Sequence, residues 1–288
     1  MPYIYLISSV FFVASSSILG AFYNKKNNGK KSATELYNAL LLSCVALFWL
    51  VAFLFDGTFD WKVLPYSILF AVCYTICNVG LINALKIGSV ALTSLILQLS
   101  LIGVSAWGFL FWDAKFTPLI AFGLILVVIA LWLCLYTGKK SEDRFSWKWL
   151  IFTLMAFAGN AGCSIVQKTQ QMQFNGQYGN FLMMIAIAIS AIICIFIYLC
   201  SDKTDFAVAA KTSWYFPVSA GICNALLNLF VIFLATSELS PSLIYPVLAI
   251  GGLMLTTTCS ALIFKEKMRW WQWLGIGLGI ISVGILSL

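Results

Sequence analysis

Apolar runs of about 20 residues follow one another along the whole chain, separated by short polar linkers. A helix needs about 20 apolar residues, at 1.5 Å rise each, to cross the hydrocarbon core of a bilayer. Ten such runs are read, at 2–23, 36–55, 63–84, 90–111, 117–136, 149–167, 181–200, 213–235, 242–264 and 270–288. Inside a bilayer each backbone N–H and C=O must find a partner within the protein, which leaves only helices and closed barrels. A barrel would show alternating strands of about 10 residues, and these runs do not alternate. The chain is 62% hydrophobic and only 9% charged, against roughly a quarter charged in a soluble domain. The expected class is an all-α integral membrane protein with ten transmembrane helices in one compact domain.

The first run has no basic segment ahead of it and exceeds the usual length of a signal core, so it reads as a retained first helix. The basic residues that accompany it come afterwards, in "NKKNNGKK" (24–31). Elsewhere they are just as unevenly placed. The linkers after spans 1, 3, 5, 7 and 9 hold 14 of the 17 lysines and arginines, leaving Lys62, Lys115 and Lys168 for the opposite face. Basic residues in short loops stay on the cytoplasmic side, so both termini are expected outside the cytoplasm of a plasma (bacterial inner) membrane. The net charge of +7 is thereby a topology signal. It is divided among five short loops and forms no patch for nucleic acid.

Nine cysteines, including Cys73 and Cys77 one helical turn apart, lie mostly within spans, and the chain has no histidine. They read as small apolar packing residues. Neither a metal nor a cofactor is expected.

Two stretches half a chain apart resemble each other. "NALKIGSVALTSLI" (83–96) and "LATSELSPSLIYPV" (234–247) each join two apolar helices by a small-residue turn, and Ala84 falls on Ala235, Ser89 on Ser240 and Leu92 on Leu243. "FWDAKF" (111–116) then meets "FKEKMR" (264–269), with Asp113 near Glu266, and further on Gly123 falls on Gly275 and Ala130 on Ser282. Each half, 1–144 and 145–288, holds five spans. Five is odd, so the second copy must lie inverted relative to the first. Inverted repeats of this kind mark secondary transporters, with a substrate site near the midplane between the halves.

The segments from Gly80 to Leu133 and from Val231 to Leu286 resemble the EamA-type repeat of the drug/metabolite transporter superfamily. That repeat has a helix ending in alanine, a small-residue turn, a helix with an acid at its end, and a glycine-rich helix. The resemblance implies ten transmembrane helices and transport of a small solute. The first copy departs from it with Leu101 near a common proline position and "WD" in place of glycine–glutamate; the second has Lys265 before Glu266. Asp113 and Glu266 stand at helix ends beside basic residues and read as caps or loop partners. Trp270, Trp271 and Trp273 read as an interfacial anchor. Gly275 and Gly279 read as a small-xxx-small face for a close helix contact or the seam of a homodimer.

Polar side chains deep in a span are costly without a partner, so they mark candidate substrate contacts. Tyr74 and Asn78 lie one turn apart in span 3, and Asn224 and Asn228 one turn apart in span 8, at nearly the repeat offset. That spacing puts each pair on one helix face. Gln98 in span 4, Ser16 in span 1, Asn160 and Ser164 in span 6, and Tyr245 beside Pro246 in span 9 complete the set. The competing account of the two matched pairs is interhelical hydrogen bonding that holds the bundle together. Serines commonly bond back to their own helix, which weights the amides above them.

These features point to a secondary transporter working by alternating access. The chain has no G-x-x-x-x-G-K-[ST] loop, so it supplies no ATP-binding motif of that kind. A membrane-embedded enzyme would need convergent acids, bases or metal ligands at depth, and all ten acids fall at span ends or in loops. A lipid-group flippase of the same superfamily is the other alternative. The small multidrug-resistance relatives in that superfamily use a buried glutamate for cationic drugs, and no span here holds a counterpart. Basic residues are equally missing from mid-span, so the expected substrate is neutral or zwitterionic, of amino-acid or nucleoside type.

Overall fold

The structure, a computed structural model, describes residues 1–27, 33–87, 90–113, 116–135, 147–201, 212–264 and 269–286. Among the described residues there is no strand, and ten long α-helices follow in order. They are α1 (Pro2–Lys26), α2 (Ala33–Asp56), α3 (Leu64–Ile87), α4 (Val90–Phe111), α5 (Pro118–Leu135), α6 (Trp147–Gln173), α7 (Gly179–Leu199), α8 (Tyr215–Ala235), α9 (Pro241–Phe264) and α10 (Trp270–Leu286). Each expected span falls on one of them. By length and apolarity α1, α2, α3, α6, α7 and α8 are able to cross a membrane, and α4, α5, α9 and α10 contribute shorter apolar stretches. The protein is an all-α membrane protein.

Helix ends follow local chemistry. Pro118 and Pro241 open α5 and α9 at the position where the missing N–H has no helical partner to lose. Thr117 Oγ1 accepts from the Ile120 N–H at 3.2 Å, and Gln272 Oε1 reaches back to the Arg269 N–H at 2.8 Å. Both satisfy first-turn donors that the helix itself leaves unpaired. Asp113, exposed just past α4, takes a left-handed φ of 51°, so it stands as a helix-end residue. Glu266 lies outside the described residues. Trp270 and Trp273 are exposed, and the Arg269 guanidinium sits 4.9 Å from the Trp271 ring centre, an arrangement suited to an interface.

The chain forms two compact units, and each draws on both halves of the sequence. The first comprises Met1–Leu6, Ile76–Ile165 and Ser237–Leu288. Within it α4 packs on α9, α5 on α10, and α9 on both α5 and α10. Small residues permit these approaches. A Cβ on Gly279 would lie 2.6 Å from Met254 Sδ and 2.8 Å from Ile250 Cγ1, and one on Gly123 would lie 2.9 Å from Leu286. Gly279 is therefore a close helix contact with α9 within the chain, and Gly275 on the same face is buried. Burial along α5 and α10 is nearly superposable: Gly123, Val127 and Ala130 are buried at the spacing of Gly275, Gly279 and Ser282.

The second unit comprises Ile7–Thr75 and Val166–Thr236. Here α2 packs on α7 and α8. Val45, Trp49, Leu182, Met183, Ala186 and Ile187 are fully buried, while Leu47, Val51, Leu54 and Phe55 on the same α2 are exposed. A helix apolar on every side, with one face packed and the other open, belongs in lipid.

Candidate functional site

In the second unit, the Asn228 Nδ2 amide donates to the Asn224 carbonyl at 2.9 Å and to Asn224 Oδ1 at 3.1 Å. Both residues are half-buried on α8. With these bonds made, Asn224 Nδ2 and Asn228 Oδ1 are left as a donor and an acceptor one turn apart in an otherwise apolar helix. The Ser16 hydroxyl donates to the Ala220 carbonyl of the same α8 at 3.4 Å. Tyr74 stacks on Phe70, ring centres 5.9 Å apart, and is half-buried.

In the first unit, Asn160 Nδ2 donates to Ser100 Oγ at 2.7 Å, and that hydroxyl donates to the Leu97 carbonyl at 2.6 Å. Asn160 thus joins α6 to α4 and keeps its own carbonyl oxygen. Tyr245, buried on α9, directs its hydroxyl to the Ser164 carbonyl at 3.4 Å. Gln98 and Asn78 are half-buried. The nine residues therefore divide, with Asn78, Gln98, Asn160, Ser164 and Tyr245 in the first unit and Ser16, Tyr74, Asn224 and Asn228 in the second.

Most mid-helix serines carry no spare donor. The hydroxyls of Ser17, Ser43 and Ser190 bond to the carbonyls of Val13, Ala39 and Ala186, each four residues back. This back-bonding is the usual fate of serine in a membrane helix. It keeps those hydroxyl protons within their own helices.

One polar cluster escapes the sequence reading. Span 6 is expected to end at 167, but α6 runs on to Gln173. Gln167, Lys168, Gln170 and Gln171 are buried. Lys168, placed by sequence in a linker, instead sends Nζ to the Ala235 carbonyl at the end of α8, at 3.1 Å. A cation at a helix C-terminus meets the negative end of its dipole. Gln167 Nε2 contacts Met183 Sδ at 3.7 Å. The helix continues because its polar side chains find partners inside the second unit. The run "VQKTQQMQ" (166–173), with three amides and a lysine within five residues at the end of an apolar span, is the signal that marks it.

Beyond α6 the backbone is tightly specified. The Gly176 N–H donates to the Gln171 carbonyl at 2.8 Å, with Asn175 at φ 49° and Gly176 at φ 80°. This is a helix end closed by left-handed residues. Tyr178, also left-handed at φ 61°, precedes α7. Asn180 Nδ2 donates to Asp56 Oδ2 at 3.1 Å, and the Thr58 hydroxyl donates to the same oxygen at 2.8 Å. Gln171, Gly179, Asn180, Asp56 and Thr58, with Leu229, Ile232 and Phe233 of α8, line a cavity of about 390 Å³.

No protein-family model matches the chain, and no curated protein matches it. Among solved structures, one crystal structure, described only as that of a protein, superposes with a TM-score of 0.75. The match covers 99% of this chain and 96% of the other, at 13% sequence identity. The fold is therefore one that a crystallised protein adopts over nearly its whole length.

Proposed function

We propose that the chain is a secondary transporter that moves a small neutral or zwitterionic metabolite across the plasma membrane by alternating access. The observation that carries this reading is the Asn224–Asn228 pair, which presents a spare N–H and a spare C=O at half-burial in a membrane helix. A donor and an acceptor without net charge suit amides, hydroxyls and paired ammonium–carboxylate groups.

The ten helices are read as two inverted five-helix repeats of the EamA type. Packing supports this, because three pairs of helices of equal rank in the two halves lie against each other. In one unit α2 meets α7; in the other α4 meets α9 and α5 meets α10. The shared burial pattern of 122–130 and 274–282 is what two copies of one helix in equivalent surroundings would give.

The test is flux into proteoliposomes across cationic, anionic, zwitterionic and neutral solutes. Flux is expected for neutral or zwitterionic solutes. Proton-driven transport of a quaternary ammonium drug, with none of the others moved, overturns the reading. Such a cation at membrane depth would lack a counter-ion, and cation–π contacts offset only about 0.5–2 kcal/mol of that.

Orientation is tested separately. Lys25, Lys26 and the other basic residues of their face keep those loops cytoplasmic, so a fluorescent protein fused after Leu288, which matures only in the cytoplasm, is expected to stay dark in bacteria. Bright cells would reverse the topology.

A further inference from the structure

We infer that the cavity beside the 174–178 loop is a binding site for a primary alkylammonium group, distinct from the amides on α8 assigned to transport. The argument begins with a chain of amides whose direction is fixed. Gln170 Nε2 donates to the Gln177 carbonyl at 2.9 Å, and that carbonyl can only accept. Gln170 must therefore turn its Oε1 the other way, where it accepts from Gln171 Nε2 at 2.6 Å. The Gln171 amide is oriented in turn, and its Oε1 is the free end of the relay. That oxygen is buried and has no hydrogen-bond partner, and Gln171 is 0% exposed. An acceptor in that condition costs free energy until a donor reaches it.

The same cavity supplies negative charge. Both donors that hold Asp56, from Thr58 and Asn180, go to Oδ2, which leaves Oδ1 available. Neither lysine nor arginine is among the residues lining the cavity. A ligand that answers two acceptors, one of them charged, is a cation with several N–H donors. A hard metal ion would take six or more oxygens, and the described residues hold no cluster of three acidic, cysteine or histidine ligands. An ammonium group has three donors and needs fewer partners. Part of the lining is apolar, from Leu229, Ile232 and Phe233, which suits a short alkyl chain. A volume of about 390 Å³ falls among small-molecule sites, roughly 300–1,000 Å³.

The alkylammonium has two sources, a water-borne amine or amino acid and the headgroup of phosphatidylethanolamine. The probe is n-propylammonium, titrated calorimetrically into the full chain in detergent. Saturable binding is expected, weakened about tenfold or more in both Asp56→Asn and Gln171→Met. Asp56→Asn keeps an oxygen for Thr58 and Asn180 and replaces the charged Oδ1 acceptor by a neutral NH2; Gln171→Met keeps the length of the side chain and removes the Oε1 acceptor together with the Nε2 donor to Gln170. Absence of saturable binding in the unaltered protein, or equal binding in all three, overturns the proposal. Equal binding would make Gln171 a structural amide only. Repetition in nanodiscs of phosphatidylcholine, with and without phosphatidylethanolamine, separates the sources. A lower apparent affinity with the second lipid assigns the headgroup, and an unchanged one assigns the water-borne amine. Binding is read without flux, so failure here leaves the transport reading standing, and failure of transport leaves this site standing.

Discussion

Gly80→Leu is expected to abolish the folded protein. A Cβ at Gly80 would lie 2.7 Å from the Ala156 nitrogen and 2.7 Å from the Phe152 carbonyl oxygen, both of them backbone atoms of α6. A flexible side chain could swing away from such a contact, but helix backbone moves only as a rigid piece. The first unit must then separate α3 from α6 or leave the leucine unaccommodated. Overpacking typically costs about 1–3 kcal/mol, occasionally more, where side chains give way; here the Cβ already meets backbone, and three further carbons must also be placed. Against a typical total of about 5–15 kcal/mol, a loss above that usual range removes the native state. The monodisperse peak in size-exclusion chromatography should vanish, and even Gly80→Ala should lower the melting temperature. The control lies in α10, where a Cβ on Gly277 meets nothing within 4 Å and one on Gly279 meets Met254 and Ile250. Gly277→Ala should be tolerated, with a small gain in helix propensity, while Gly279→Ala should destabilise. Equal tolerance at Gly80, Gly277 and Gly279 would falsify the packing described for the first unit.

That contrast also bounds what the sequence could reveal. In "GIGLG" (275–279) the three glycines have the same neighbours by composition, and only the facing helix distinguishes them. The helices themselves were legible, because hydropathy reports a transfer free energy that length alone converts into a span. Which helix meets which was not, because α2, α5 and α7 are apolar around their whole circumference and periodicity singles out no packed face. The equal-rank pairing of α5 with α10 could be suspected from Gly123 and Gly275, since small residues mark close approach. The glutamine run is hidden from hydropathy for a different reason. A hydropathy sum charges Gln170, Gln171 and Lys168 for their polarity, whereas the fold satisfies them through Gln177 and Ala235. Ala235 is 67 residues away from Lys168 in the chain. No local window contains that partner, so hydropathy alone places the end of α6 in a linker. Asn224 and Asn228 were found from sequence because a one-turn spacing suffices to put them together.

The second large effect is expected on transport itself. Asn228→Ala removes the spare Oδ1 and also releases Asn224, whose carbonyl and Oδ1 both accept from Asn228 Nδ2. Losing a hydrogen bond to a polar solute, with a partner group left unpaired, costs about 1–3 kcal/mol, or roughly 5- to 150-fold in kcat/KM. Folding should suffer far less. The bonds lost lie within one helix, between residues four apart, and no other helix depends on them. The expected result is an unchanged yield and melting temperature with flux per folded molecule reduced at least about fivefold. Asn78→Ala tests the other unit by the same comparison, as transport loss set against loss of folded protein. Asn160→Ala marks the contrast, since its bond to Ser100 joins two helices and its removal should lower the melting temperature measurably. A residue that only glues helices loses stability and keeps its flux per molecule. If Asn228→Ala and Asn78→Ala both behave in that way, the half-buried amides are structural, and the neutral or zwitterionic solute must be bound elsewhere in the chain.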